Sequence, residues 1–181
     1  ENPNETIVVD IDTVINATES GSQQVTAIIT DDDPAPIPPN DNFADAIQLP
    51  GNSGNLSGNN NIGATFEPGE PVCNYPATTN TVWFKWVCAE AGSFTLSTLG
   101  SRNPANTEWD AVIGVYTGSS VTTLTPLITP AQDTGLEEIV ILLVTPGTYY
   151  IQAGGFPNPA ADVATNIVLN WSFVVSPPPS A

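Results

Sequence analysis

Three consecutive carboxylates, Asp31-Asp32-Asp33, stand where an alternating segment of the chain breaks off. Like charges this close repel unless they are neutralised, and calcium takes carboxylate and carbonyl oxygens of this kind. Calcium is therefore the cofactor these residues suggest, with Asp10 and Asp12 as further candidate ligands; the plainer alternative is a solvated acidic turn. Cys73 and Cys88 flank a strand-like segment. In an exported protein such a pair is expected to form a disulfide, two buried free thiols being the alternative. Four tryptophans, Trp83, Trp86, Trp109 and Trp171, have the chemistry of a sugar-stacking platform or of a core. Trp83 and Trp86 have opposite parity in one strand, so one is expected to face the core. Trp109, in the polar run Asn106-Thr107-Glu108-Trp109-Asp110, is the candidate surface contact. Glu67 with Glu70, or Glu108 with Asp110, has the residue types of a two-carboxylate glycosidase, but neighbouring acids are expected in a chain this acidic. With no His for a triad or proton shuttle, and Lys85 set between aromatic residues, catalysis lacks equipment and no enzyme is expected.

Nineteen acidic residues face two basic ones, Lys85 and Arg102, giving a formal net charge of -17. Phosphate contacts need Lys and Arg clusters, so nucleic acid is excluded as a partner. Anionic membrane surfaces are disfavoured for the same reason. The longest apolar run, 139–144, is far too short to span a bilayer, so no membrane insertion is expected. The chain opens at Glu1 rather than Met and reads as a mature product or an internal fragment.

These residues need elements to hold them. Residues 5–12 alternate, with Ile7, Val9 and Ile11 on one face; residues 23–30 alternate again, with Val25, Ala27 and Ile29 on one face. A polar connection joins the two, so residues 1–33 read as a β-hairpin arm. Pro34, Pro36, Pro38 and Pro39 make 34–40 a stiff linker. From 41 to 175 the pattern is one of short strands separated by turns. Asp41–Ala46 reads as a single helical turn, and a Gly/Asn-rich stretch runs to Gly63. Strands are expected at 81–87, at 94–98 with Phe94 and Leu96 inward, at 110–116, and at 121–128, the last an edge because of Pro126. Further strands are expected at 138–144, central and covered on both faces, at 148–152 and at 167–175. Residues 176–181 form a second Pro-rich tail. The expected class is all-β, an antiparallel, jelly-roll-like β-sandwich with an N-terminal hairpin arm.

The blocks DNFADAIQLPG, GATFEPGEP, TVWFKWV, WDAVIGVYTG and PGTYYIQAGG occur in that order over 41–175. Together they resemble the bacterial pre-peptidase C-terminal domain, a non-catalytic β-sandwich appended to secreted proteases and other surface proteins. The chain departs from that family at 129–133, where Thr-Pro-Ala-Gln-Asp replaces an Asn-Asp-Asp run. Residues 1–33, with NPNETIVVDID, NATESG and VTAIITDDD, resemble the last two strands of a Calx-beta domain, a calcium-binding sandwich of surface proteins. The resemblance implies a secreted, extracellular or cell-surface location in a bacterium.

An isolated hairpin is marginal in water. Its apolar face, Ile7, Val9, Ile11, Val25, Ala27 and Ile29, calls for a partner, and its edges carry unpaired backbone groups. The expected partner is self: the hairpin adds strands to a neighbouring copy or neighbouring β domain, and head-to-tail addition builds a filament. The other reading is an ancillary adhesion module that binds polysaccharide or protein for a larger secreted protein or hydrolase. Sequons at Asn4, Asn16, Asn55 and Asn170 add glycans as candidate attachments.

Overall fold

The computed structural model describes residues 5–10, 13–18, 20–21, 24–29, 35–73, 80–128, 135–156 and 163–177. The chain divides into two compact units, Glu1–Ala35 and Pro36–Ala181. The boundary assigns Pro36, Pro38 and Pro39 to the second unit, where the Pro38 carbonyl accepts a hydrogen bond from Asp41 N at 3.1 Å.

The first unit is a two-stranded antiparallel hairpin of β1 (Glu5–Val9) and β2 (Val25–Ile29). Ile7 lies opposite Ala27 and Val9 opposite Val25, so the alternation read from sequence does bring these side chains onto one face. Val8 and Ile28 occupy the other face, and they are exposed too, at 55% and 68%. Every hairpin side chain whose burial is described is exposed.

The second unit is a sandwich of a five-stranded and a four-stranded sheet, as the spacing of strands and turns predicts. Its strands are β3 (Ile47–Leu49), β4 (Ser53–Asn59), β5 (Val82–Cys88), β6 (Gly92–Ser97), β7 (Ala111–Thr117), β8 (Thr125–Pro126), β9 (Ile139–Val144), β10 (Gly147–Gly155) and β11 (Ile167–Val175). One sheet runs β3-β5-β10-β7-β8 and the other β4-β11-β6-β9. Pairing is antiparallel throughout except between β3 and β5, which are parallel. The last two strands each slot between two earlier ones, β10 between β5 and β7, β11 between β4 and β6. That interleaving makes the sandwich jelly-roll-like.

The core lies between the sheets. Phe84, Trp86, Ile113, Val115 and Ile151 from one sheet meet Phe94, Leu96, Leu169 and Trp171 from the other. Phe94 and Leu96 point inward as their alternation predicts, each 1% exposed. Trp86 stacks on Phe94 with centroids 4.3 Å apart, and its indole Nε1 donates to the Gly51 carbonyl at 2.8 Å.

Three expectations are corrected. The Gly/Asn-rich stretch contains a seven-residue strand, β4, although its residues have low strand propensity. It is held by pairing with β11 and by a close approach: a Cβ on Gly54 would collide with the Trp171 ring. β9 is an edge strand, not a central one, and Ile139, Ile141 and Leu143 face outward at 60%, 68% and 88% exposure. Its unbroken apolar run imitates two-sided burial while only Val140 and Val144 are buried. Residues 121–128 are mostly irregular, a 3-10 turn at Val121–Thr123 followed by the two-residue β8, with Pro126 at the sheet edge as expected.

Candidate functional site

The outer face of the five-stranded sheet is covered, and polar chemistry is concentrated beneath the cover. Trp83, Tyr150, Gln152, Gly114 and Tyr116 share that face through the register of β5, β10 and β7. The 3-10 turn Phe43–Asp45 lays Phe43 edge-on against Trp83, with centroids 5.3 Å apart, and tilted against Tyr150 at 4.3 Å. Phe43, Ala46, Trp83 and Tyr116 thus form a second apolar cluster outside the main core. Trp83 and Trp86 do face opposite ways, as their parity predicts, yet both are fully buried because each face has a cover.

Gln152 is at the centre of the polar group. A Cβ on Gly114 would collide with the Tyr116 ring, so the glycine is what lets Tyr116 lie back along its own strand. In that position the Tyr116 hydroxyl donates to Gln152 Oε1 at 2.8 Å. The Gln152 amide nitrogen donates to Glu70 Oε1 at 2.8 Å and to the Pro71 carbonyl at 3.0 Å. Thr81, immediately before β5, donates its hydroxyl to the same Glu70 oxygen in a very short contact. Gln152 Nε2 is 3.4 Å from Thr81 Oγ1. The other Glu70 oxygen, Oε2, accepts from Glu67 N at 2.8 Å, and Glu67 Oε2 in turn accepts from Phe43 N at 3.0 Å. A neighbouring anchor of the same cover is Asp41, whose carboxylate accepts from Thr65 N at 2.6 Å and from the Thr65 hydroxyl at 2.7 Å.

The group is dry. Thr81 and Gln152 are 0% exposed and Glu70 5%. Burial, foremost, raises the Glu70 carboxyl above the usual carboxylate range, with the charge of Glu67 adding; hydrogen bonds from Thr81, the Glu67 backbone and Gln152 pull the other way. Burial also pushes the Cys73 thiol up to about 12, helped by the charges of Glu138 and Glu70. The Tyr116 phenol is raised as well, by burial first and then by Cys73 and Glu70. A hydroxyl, a carboxyl, a carboxamide and a phenol, buried and joined by hydrogen bonds that meet at Gln152, are the parts of an acyl-transfer site.

The residues singled out from sequence fare unequally. Cys73 and Cys88 are two free, buried thiols, not the expected disulfide. Cys88 lies opposite Gly147 at the start of β10, and its Sγ donates to the Glu90 carbonyl. Cys73 follows Pro71, which is held by Gln152, five positions farther along β10. Trp109 is 1% exposed and belongs to the main core, so it is not a surface contact. Asp10 is exposed and accepts from Gln24 Nε2 at 3.2 Å. Asp12, Asp31, Asp32 and Asp33, together with Ile11, lie outside the described residues. Among the described residues no group of three or more acidic, Cys or His side chains is arranged to hold a metal ion. Glu67 and Glu70 do come together, through the backbone of one and the side chain of the other, while Glu108 is exposed and Asp110 only half-buried. Thr81, Tyr116 and Gln152 were not legible as site residues; the only signal was an uncharged polar residue, Gln152, in the middle of a strong strand.

No family model matches the chain, and no curated protein does. Among solved structures, the pre-peptidase C-terminal domain of collagenase from Bacillus anthracis is similar to it. The match covers 71% of this chain and 94% of that one, at 13% identity and a TM-score of 0.40. That domain carries the family name that the five blocks of 41–175 resemble. Among the described residues no helix is long and apolar enough to cross a membrane.

Proposed function

We propose that this chain is a non-enzymatic structural module of a bacterial cell surface or matrix, joined to a second copy of itself by strand addition. The observation that carries the reading is the pairing of two unpartnered apolar features in one chain. β9 is a six-residue edge strand, IVILLV, with exposed Ile139, Ile141 and Leu143 on one side and core residues Val140 and Val144 on the other. β2, VTAII, belongs to a two-stranded hairpin with Ile7, Val9, Val25, Ala27 and Ile29 on one face and Val8 and Ile28 beside Thr6 and Thr26 on the other. An added strand extends β9 when it brings apolar side chains to both of β9's apolar faces. Neither β9 nor β2 contains a charged residue. In a molecule of net charge -17 such stretches are where two copies can meet without opposing carboxylates. Each copy offers one donor and one acceptor, so the contact is head-to-tail and repeats into a filament.

Sedimentation velocity across a concentration series tests this, run with calcium and with a chelator because Asp31–Asp33 directly follow the hairpin's second strand. The wild type is expected to associate progressively. Ile141→Lys on β9 and Ala27→Pro on β2 should each be monomeric alone. An equimolar mixture of the two should stop at dimers, since one junction remains possible. A wild type that stays monomeric in every condition overturns the reading.

A further inference from the structure

From the contacts among Thr81, Glu70, Gln152 and Tyr116 we infer that this domain forms an internal ester, joining Thr81 Oγ1 to the Gln152 side-chain carbonyl carbon. This inference is independent of the assembly reading. It is a single self-modification, not turnover of a substrate.

The four side chains hold the roles that acyl transfer needs. Thr81 Oγ1 is the nucleophile, and its hydroxyl already donates to Glu70 Oε1. Glu70 is the general base. The Gln152 carboxamide is the acyl donor, and its nitrogen lies 3.4 Å from Thr81 Oγ1. Tyr116, donating to Gln152 Oε1 at 2.8 Å, polarises the carbonyl and receives the oxyanion. The same Glu70 oxygen contacts both the attacking hydroxyl and the departing nitrogen, the latter at 2.8 Å. One atom can therefore take the proton from the first and deliver it to the second.

The reaction balances without oxidant or cofactor. The Thr81 hydroxyl proton passes to Glu70 as the Oγ1–Cδ bond forms, leaving a tetrahedral centre with its negative oxygen against the Tyr116 hydroxyl. The Cδ–N bond then breaks, Glu70 returns the proton to nitrogen, and ammonia leaves. An amide is exchanged for an ester, and the exchange is drawn forward because ammonia is diluted into the surroundings. Hydrolysis would reverse the gain, but Thr81 and Gln152 have no exposed surface. The raised position of the Glu70 carboxyl suits a group that must both accept and return a proton.

The chain carries its own assay. Trypsin has two sites, Lys85 and Arg102, which separate the sequence into 1–85, 86–102 and 103–181. Thr81 lies in the first fragment and Gln152 in the third. The intact protein is expected about 17 Da below the sequence mass, the loss of one ammonia. After reduction, denaturation and digestion, 1–85 and 103–181 should remain joined while 86–102 is released. Hydroxylamine should then separate the joined pair. Fragmentation should place the bond at Thr81, and Thr81→Val and Glu70→Gln should each run at full mass as separate fragments. Full sequence mass in the folded wild type, with three separate fragments, overturns the inference. A mass loss without joined fragments, or a bond located at Cys73, overturns it equally. None of these wild-type readouts depends on a variant that folds, and none depends on self-association.

Discussion

The two outer faces of the sandwich are built from the same kind of strand and meet opposite fates. On the five-stranded sheet, Trp83, Tyr116 and Tyr150 point away from the core, and the chain supplies a lid: the turn at Phe43–Asp45, the segment bearing Glu67 and Glu70, and Val121 with Leu124. On the four-stranded sheet, Ile139, Ile141 and Leu143 point away from the core and are exposed. An apolar residue on the outside of a sheet therefore does not by itself say whether it is covered. Whether the cover is the same chain is decided by the loops, and loops are the part that strand periodicity does not describe.

The sharpest way to break this contrast is to remove its covered anchor. Trp83→Ala should destabilise the fold by about 3–5 kcal/mol in chemical denaturation, the range for deleting a buried aromatic. Trp83→Phe should cost clearly less, because the Trp83 indole nitrogen is buried without a hydrogen-bond partner and its removal strands nothing. Next in size is Gly54→Val on β4, which drives a side chain into the Trp171 ring; a loss of about 1–3 kcal/mol is expected from overpacking.

The covered face should also report its dryness through pH. A carboxyl raised in the folded state, as Glu70 is, holds its proton more firmly folded than unfolded. Its contribution is complete below the unfolded value and is lost as pH rises through the folded one. The wild type should therefore lose stability with rising pH from about 4.5 upward more steeply than Glu70→Gln, the difference between the two curves being the readout. The same sign applies to Cys73 at the alkaline end: between about 9 and 12 the wild type should weaken more than Cys73→Ser. The smallest effect belongs to the open face. Ile141→Lys should change monomer stability by no more than about 0.5 kcal/mol, since the side chain is exposed, while abolishing association.

How much of this was legible in the sequence follows the same division. The strands carrying Trp83, Phe94, Ile113, Ile151 and Trp171 announce themselves, because alternation and aromatic content are local properties. β4 does not, because its strand state depends on Gly54 lying under a ring more than a hundred residues away in sequence. β9 was legible as a strand but not as an edge, since sheet order is a property of the whole topology. Trp109, in a polar run, is buried by the fold around it rather than by its neighbours in sequence. The Glu70–Thr81–Gln152 group is the extreme case: Gln152 lies 82 residues from Glu70 and 71 from Thr81. None of the three residue types is unusual where it stands, and only the pairing of β5 with β10 makes them a group.

The interleaving of the last two strands sets the order of events when the chain is made. β10 and β11 each lie between two strands that precede them in the chain, and each must wait for both of these neighbours. Until residues 147–175 have emerged, β5 and β7 have no common partner, nor have β4 and β6. A chain emerging from its N-terminal end can therefore complete neither sheet until these last strands arrive. It closes in one late step, and Gln152 reaches Thr81 only when that step is done. Folding is in this sense a latch thrown from the tail, set by topology and not by any single residue.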